Sequence, residues 1–382
     1  MSLRRVPIIA VETYAAPRGA TLEIVERKGL GHPDSIADAI SEALQDHISE
    51  IGRSVARRPA VPYAYVDKTL VICGVAEPRW GGGRIVSPCR VVAPCLVERT
   101  TPLDGCTATI RKVFASHVPH YPVNLIKCDV LRRSPSGHSL RTYAHQPRDA
   151  EDSCVVVASA PQTELERIVL SVEQVLVQKE RDSSVGIGTD IKLLVTRHEA
   201  DVHATVAVAF RDAVLHSLRD YRDAKALVTD EIKKVLSGRF RSVKVDVNPD
   251  DRFDLESVYL TVTGSSIEGG DCGMTGRGNR GGGVIVPFGA MTLEAEAGKP
   301  LGNHPARVMK PVTQAIADAV AQMDGISRAE VALIAQVGID LRRPAAVMVR
   351  VFGKRPPGKR AVATLVESQL RVLGMPRYNR QT

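Results

Sequence analysis

The run Gly269 to Gly283 reads GGDCGMTGRGNRGGG and carries Asp271, Arg277 and Arg280 in glycine-dense backbone. Glycine has no Cβ and tolerates positive φ, so such a loop can pass close to a ligand. Guanidinium groups on it suit phosphate oxygens, which they can grip in bidentate fashion. The loop lacks the Gly-Lys-Ser/Thr of a Walker A sequence and is no dinucleotide fingerprint. An exposed loop or a short arginine-glycine segment for RNA stays open on composition alone. A second group, His32-Pro33-Asp34, stands where a helical pattern begins. There unpaired N–H groups and the helix dipole favour anions. A first-turn acid and a capping or packed imidazole are the plain readings of Asp34 and His32. Asp190 and Lys192, two apart on a strand, share a face, as an idle solvent-facing pair also would. Lys299 and Asn303-His304-Pro305 follow the glycine loop.

These residues need elements to hold them. Val258, Leu260 and Val262 alternate with polar residues in Ser257 to Thr263, which predicts a strand feeding the loop. Ile36, Ile40, Ala43, Leu44, Ile48 and Ile51 predict a helix over about Ser35 to Glu50, with Pro33 in its first turn. Val66 to Cys73 reads as a buried strand, followed by a turn at Trp80 to Gly83 and another strand from Arg84. Arg132 to Ser139 is a polar loop with His138 exposed in it. A helix is expected to begin at Ala160-Pro161. Gly186 and Gly188 close a linker before the strand Asp190 to Val195, whose antiparallel partner is His203 to Phe210. Asp230 to Leu236 continues a charged helix. Pro311 should kink a helix carrying Val308, Val312, Ile316 and Val320. Val331 to Gln336 and Val347 to Phe352 read as strands. Met1 to Arg18 reads as a loose arm, and the tail from Arg360 as a short helix and an unstructured end.

His-Pro precedes a helix at both His32-Pro33 and His304-Pro305, and the helices carry Ile-Ala-Asp-Ala-Ile and Ile-Ala-Asp-Ala-Val. Strand pairs with one long helix recur about three times, which predicts three related α+β modules over 20–145, 150–240 and 243–382.

With 382 residues the chain can bury a large core. Aromatics make up 4%, too few for a base-stacking platform, and no nucleic acid is expected as partner. The formal charge of +8 fits an anionic substrate such as a nucleotide, or a basic surface without a role. Seven cysteines show no C-x-x-C pair, which reads as reduced thiols in a cytoplasmic setting. No apolar run is long enough to span a membrane, and no signal-peptide pattern opens the chain.

GDCGMTGRGNR, with GLGHPDSIAD at Gly29 to Asp38, closely resembles the S-adenosylmethionine synthetase family in its archaeal-type branch, and scattered likeness runs from about Glu26 to Gln336. The resemblance implies three similar α+β domains about a pseudo-threefold axis, and a homodimer or dimer of dimers with active sites between subunits. It implies that sulfur of methionine attacks the 5′ carbon of ATP, that tripolyphosphate leaves and is hydrolysed, and that magnesium and potassium are required. It places His32 beside the leaving oxygen with Lys192 on the triphosphate, and makes Asp34 a magnesium ligand, with Asn303 in the same metal-binding pattern. Asp190 would contact the ribose, Asp271 the methionine and adenosyl groups, and Arg277, Arg280 and Lys299 the phosphates. Glu26 matches an acidic position near ATP. The departures cluster on the acceptor. His-His-Asn-Thr-Asp-Gln becomes Tyr63 to Lys68, keeping only Asp67. Gly-Gln-Gly-Ser is replaced within Arg132 to Ser139. Asn-Asp-Thr-Ser-Phe-Gly becomes Glu151 to Val156, keeping Asp152. Synthesis of S-adenosylmethionine is the leading expectation. Another thioether or thiol acceptor, or a non-catalytic ATP-binding paralogue, are the alternatives.

Overall fold

From Val202 to Val208 every second residue is buried, the period-two pattern that makes this segment a strand. A helical period sinks Ile36, Ile40, Leu44 and Ile48 and makes the segment from Pro33 a helix. The structure is a computed structural model that describes residues 8–15, 22–56, 63–137, 148–182 and 184–372. The chain opens with strands β1 (Ile8–Ala15) and β2 (Leu22–Lys28) and helix α1 (Pro33–Ala56). Short strands β3 (Ala64–Tyr65), β4 (Leu70–Ile72), β5 (Val75–Glu77) and β6 (Arg84–Ser87) precede β7 (Arg90–Val97). Then come α2 (Cys106–His117), β8 (Lys127–Arg133), β9 (Cys154–Ala160) and α3 (Glu164–Arg181). The middle holds β10 (Ile187–His198), β11 (Asp201–Arg211), α4 (Leu218–Leu236) and β12 (Ser242–Val247). Two-residue strands β13 (Leu260–Thr261) and β14 (Gly273–Met274) flank the start of the glycine loop. Last are α5 (Pro305–Val308), α6 (Lys310–Ala321), β15 (Arg328–Ala335), β16 (Ala346–Gly353) and α7 (Lys359–Val372).

Three sheets each bury one face against two helices, a mixed α+β architecture. Order β12-β11-β10-β2 packs on α3 and α4, burying Leu165, Val172, Tyr221 and Val228. Order β14-β4-β7-β3, with β8 beside β7, packs on α1 and α2. Order β1-β16-β15-β9 packs on α6 and α7. Each sheet draws strands from distant stretches of chain: β2 pairs with β10, β1 runs parallel to β16, and β14 pairs with β4. No helix among the described residues is long and apolar enough to cross a membrane.

Several local expectations change. Ile8–Ala15, expected as part of a loose arm, is an edge strand in register with β16, with Tyr14 stacked on Phe352. It buries only Val11, so it carries no readable alternation. The helix expected at Ala160-Pro161 starts at Glu164, because Thr163 and Glu166 form a capping box. The strand expected over Ser257 to Thr263 pairs only at Leu260–Thr261. The Val262 and Thr263 amides donate to the Glu268 carboxylate instead, at 2.5 and 2.7 Å. Val66 to Cys73 breaks at a turn through Asp67 and Lys68. Gly188 lies inside β10, at a register shift, rather than in a linker. The kink expected from Pro311 appears as the break at Met309 between α5 and α6. Of Arg132 to Ser139, His138 lies outside the described residues, as do the ends of the expected arm and tail.

Candidate active site

Strand β2 delivers Lys28 and, through a tight Gly29–Gly31 turn, His32 and Asp34 to the start of α1. All three are buried. The Asp34 N–H donates to His32 Nδ1 at 3.1 Å, so the imidazole caps the helix. An Nδ1 that accepts leaves the ring proton on Nε2. Burial, with Lys28 next to it, pushes His32 down to about 4, so the ring is neutral at ordinary pH and still donates through Nε2. Asp34 Oδ2 accepts from Lys28 Nζ at 2.8 Å, and Oδ1 from the Met274 amide at 2.9 Å. Burial works to raise this carboxyl, but Lys28 and that amide outweigh it and hold it below its usual range.

The glycine loop lies directly against this helix start. A Cβ on Gly273 would collide with the Pro33 carbonyl, so only glycine allows the approach. Lys28 Nζ also donates to the Arg277 carbonyl at 2.7 Å, and Asn279 clamps both backbone polar groups of Lys28. Lys192 stands directly opposite Lys28 on the neighbouring strand, a like-charge pair that costs stability. Glu26 mediates, 3.7 Å from Lys28 Nζ and 3.8 Å from Lys192 Nζ. Two cations remain open to solvent: Lys192 at 43% side-chain exposure, and Arg277 at 69%, its Nε 4.0 Å from Asp34. Behind them Asp190 is buried and accepts from Ser266 N and Oγ at 2.8 and 2.5 Å. Burial pushes it up to about 6. Asp271, exposed, starts the loop and accepts from the Cys272 amide at 2.8 Å.

A second polar group forms around Lys299. Its Nζ donates to Asp67 and Glu294, both at 2.8 Å, and to Tyr65 Oη at 3.1 Å. Burial works against the ammonium, but Asp67 and Glu294 prevail and hold it protonated well above its usual range. His304 repeats the behaviour of His32: the Ala306 amide donates to its Nδ1 at 3.2 Å, and burial, with Lys299 nearby, lowers it to about 4. Glu151 accepts from Tyr63 Oη at 2.9 Å, and burial pushes it up to about 7. Glu151 Oε2, Asn303 Oδ1 and His304 Nε2 are buried without hydrogen-bond partners among the described residues. Asp152 lies beside Glu151 and turns back on the Ser153 amide.

The expected residues thus fall into two groups. Glu26, His32, Asp34, Lys192 and Arg277 meet at the start of α1, with Asp190 and Asp271 linked through Ser266. Asp67, Asp152, Lys299 and Asn303 belong to the second group. Arg280 is in neither. It lines a cavity of about 450 Å³ with Asp38, Glu42, Glu296, Arg307 and Lys310, and its Nε is buried without a partner among the described residues. Asp38, pushed up to about 6 by burial, accepts from the Gly276 amide. Lys28 is the residue sequence reasoning missed, although its place two after Glu26 on the strand puts it on the same face. Tyr65, Glu151, Glu294 and His304 carry no sequence signal of their partners. Among the described residues no three His, Cys, Asp or Glu side chains gather to hold a metal. Asp34 and Asn303 sit in different groups. Magnesium needs no protein cage, since it binds one or two carboxylates together with phosphate oxygens and water. Asp34 fits that pattern.

The family model described as S-adenosylmethionine synthetase (AdoMet synthetase) matches residues 7–373. The S-adenosylmethionine synthase of Haloarcula marismortui is 33% identical over 339 residues, covering 85% of this chain and 83% of that protein. That of Haloquadratum walsbyi is 34% identical over 358 residues, covering 88% and 87%. That of Aeropyrum pernix is 32% identical over 372 residues, covering 90% and 89%. Among solved structures, an unusual S-adenosylmethionine synthetase from Campylobacter jejuni superposes with a TM-score of 0.58 at 14% identity, over 86% of this chain and 81% of that one. At that identity the likeness concerns the fold alone.

Proposed function

The chain belongs to the S-adenosylmethionine synthetase family, and from that premise we propose how its two polar groups make S-adenosylmethionine from ATP and L-methionine. It is a methionine adenosyltransferase. The observation that carries the mechanism is the start of α1: a neutral histidine cap and a buried carboxylate, faced by two solvent-open cations on separate elements. When methionine sulfur displaces triphosphate from the 5′ carbon, negative charge builds on the departing oxygen. His32 Nε2–H donates to that oxygen without needing to titrate. Lys192 and Arg277 hold the phosphates from either side, and Arg280 takes the far end of the chain. Donors fixed in place before the reaction stabilise such charge at no reorganisation cost. Asp190 receives the ribose once Ser266 yields, and Asp271 faces the acceptor. Asp34 would hold magnesium together with the phosphates, where the ion would supply positive charge against the leaving group, and potassium is proposed as a second cation.

Lys299, Asp67, Asp152 and Asn303 then serve a site on a second copy of the chain, so that each active site is completed between subunits of a homodimer or dimer of dimers. Three similar domains about a pseudo-threefold axis would give that arrangement its symmetry. Methionine is the proposed acceptor, because the altered segments answer each other: Tyr63 from one bonds Glu151 from another. Mass spectrometry of products from ATP, magnesium and an equimolar panel of thioethers tests this. S-adenosylmethionine with released phosphates is expected. An adduct of another thioether in preference to methionine would overturn the acceptor.

A further inference from the structure

Seven cysteines occur in the chain, and four of them, Cys89, Cys95, Cys106 and Cys154, are buried. Burial pushes the Cys89 and Cys106 thiols up to about 11 and Cys95 up to about 12, which leaves them inert. Cys73 and Cys272 differ. They are 199 residues apart in the chain, yet their Sγ atoms stand 3.3 Å from each other. The Cys73 amide donates to Cys272 Sγ at 3.2 Å, and Cys272 is exposed. The β4–β14 ladder, pairing Val71 with Gly273, fixes both just beyond its last paired residues.

We propose that Cys73 and Cys272 form a reversible disulfide that couples the glycine loop to the thiol redox state of its surroundings. The reading of Asp271 as an acceptor-side residue, given above, underlies the effect on activity. The oxidant is a low-molecular-weight disulfide. The exposed Cys272 thiolate attacks it, forming a mixed disulfide and expelling one thiolate. Cys73 thiolate then attacks Cys272 Sγ and expels the second. Two protein thiols become one disulfide, and the small disulfide becomes two thiols. Burial, with the Cys272 thiol beside it, holds the reduced Cys73 thiol above its usual range, so the exposed Cys272 is the attacking thiol and Cys73 the resolving one.

A disulfide needs its sulfurs about 2 Å apart, so the contact must close by roughly 1 Å. Gly269 and Gly270, just before Asp271, have no side chains to hinder that movement, which works against the hold of the Ser266 carbonyl on the Gly269, Gly270 and Asp271 amides. The Cys272 amide holds the Asp271 carboxylate, so pulling Cys272 moves Asp271 with it. A misplacement of about 1 Å in a reacting site can cost on the order of a hundredfold in rate.

The test treats the full chain with glutathione disulfide, maps non-reduced peptides and measures product formation before and after dithiothreitol. A Cys73–Cys272 linked peptide is expected, with turnover down by about tenfold to a hundredfold and restored on reduction. Cys272→Ser should keep its own reduced rate through the same treatment, whereas Cys73→Ser should stop at a glutathione mixed disulfide on Cys272. Absence of the linked peptide overturns the proposal, as does equal loss in Cys272→Ser, which would assign the effect to a residue outside this pair. A linked peptide with unchanged turnover overturns the coupling to the site. A reduced enzyme that makes no S-adenosylmethionine would instead overturn the functional reading.

Discussion

Replacing His32 with asparagine separates the two things this side chain does. Asparagine is a good helix N-cap, so the first turn of α1 keeps an acceptor for the Asp34 amide. Its amide nitrogen cannot reach where Nε2 stands, and it does not titrate. In the folded protein His32 is held near 4 against an ordinary 6.5. A depressed histidine contributes stability that is fully present above its unfolded pKa and is lost as pH falls toward the folded value. The gap of about 2.5 units corresponds to roughly 3 kcal/mol, of which about 2–3 kcal/mol is lost between about pH 7.5 and about pH 4.5. Asp38 and Asp190, raised to about 6, and Glu151, raised to about 7, work in the opposite direction. Their folded state binds protons first, so acid favours folding through them, and the wild-type curve mixes both effects. The difference between His32→Asn and wild type isolates the imidazole. Urea unfolding at one protomer concentration should show the variant within about 1 kcal/mol of wild type at neutral pH. At about pH 4.5 the variant should be the more stable by roughly 2–3 kcal/mol. Turnover at neutral pH should fall by about 10²–10³, the cost of one donor to a developing oxyanion. A difference curve that stays flat with pH would refute the neutral cap, and with it the donor on Nε2.

Lys192→Ala should lower kcat by about 10²–10³ while leaving stability within about 0.5 kcal/mol, since the side chain is half exposed and faces another lysine. Wild-type turnover in that variant would remove Lys192 from the mechanism. Lys28→Ala leaves Asp34 buried without its cation and should destabilise by about 3–5 kcal/mol in chemical denaturation; an unchanged midpoint would show that Asp34 is held by other means. Tyr63→Phe deprives Glu151 of its bonded partner and should raise the Michaelis constant for methionine more than that for ATP. Equal shifts would place this contact outside the acceptor pocket. Light scattering at micromolar concentration should show a dimer or larger assembly, and an active monomer would rule out the shared site.

The helix start and the glycine loop were legible in the sequence because each is local. Apolar spacing marks α1, and a dense glycine run marks backbone that must come close to something. What they come close to is each other, through the Pro33 carbonyl and Gly273, and no local pattern states that. Local alternation also misled. Ser257 to Thr263 alternates like a strand, yet Glu268 captures two of its amides before a neighbouring strand can. Strand β1 escaped notice for the opposite reason: an edge strand with one buried residue has nothing periodic to show. The second polar group was the least readable, since Tyr63 and Glu151 are 88 residues apart and meet only through the fold.

The echo between His32-Pro33 and His304-Pro305 acquires a physical meaning from the two groups. Both histidines cap a helix through Nδ1, both are driven neutral by burial, and each has a lysine close by. The surroundings then diverge. At the first cap, Lys28 is spent on Asp34, but Lys192 and Arg277 stay open to solvent, a site with positive charge to give. At the second, Lys299 is fully engaged by Asp67, Glu294 and Tyr65, and among the described residues the unpartnered atoms are Glu151 Oε2, Asn303 Oδ1 and His304 Nε2. A triphosphate is drawn to free cations, whereas an amino acid's ammonium group is drawn to unspent oxygens. In the function proposed above, that difference in spare charge is what would divide the labour between the two groups. Tyr63, Tyr65 and Glu151 all belong to the group whose open acceptors are the Glu151 and Asn303 oxygens, with His304 Nε2–H as its open donor, rather than to the group proposed to grip phosphate.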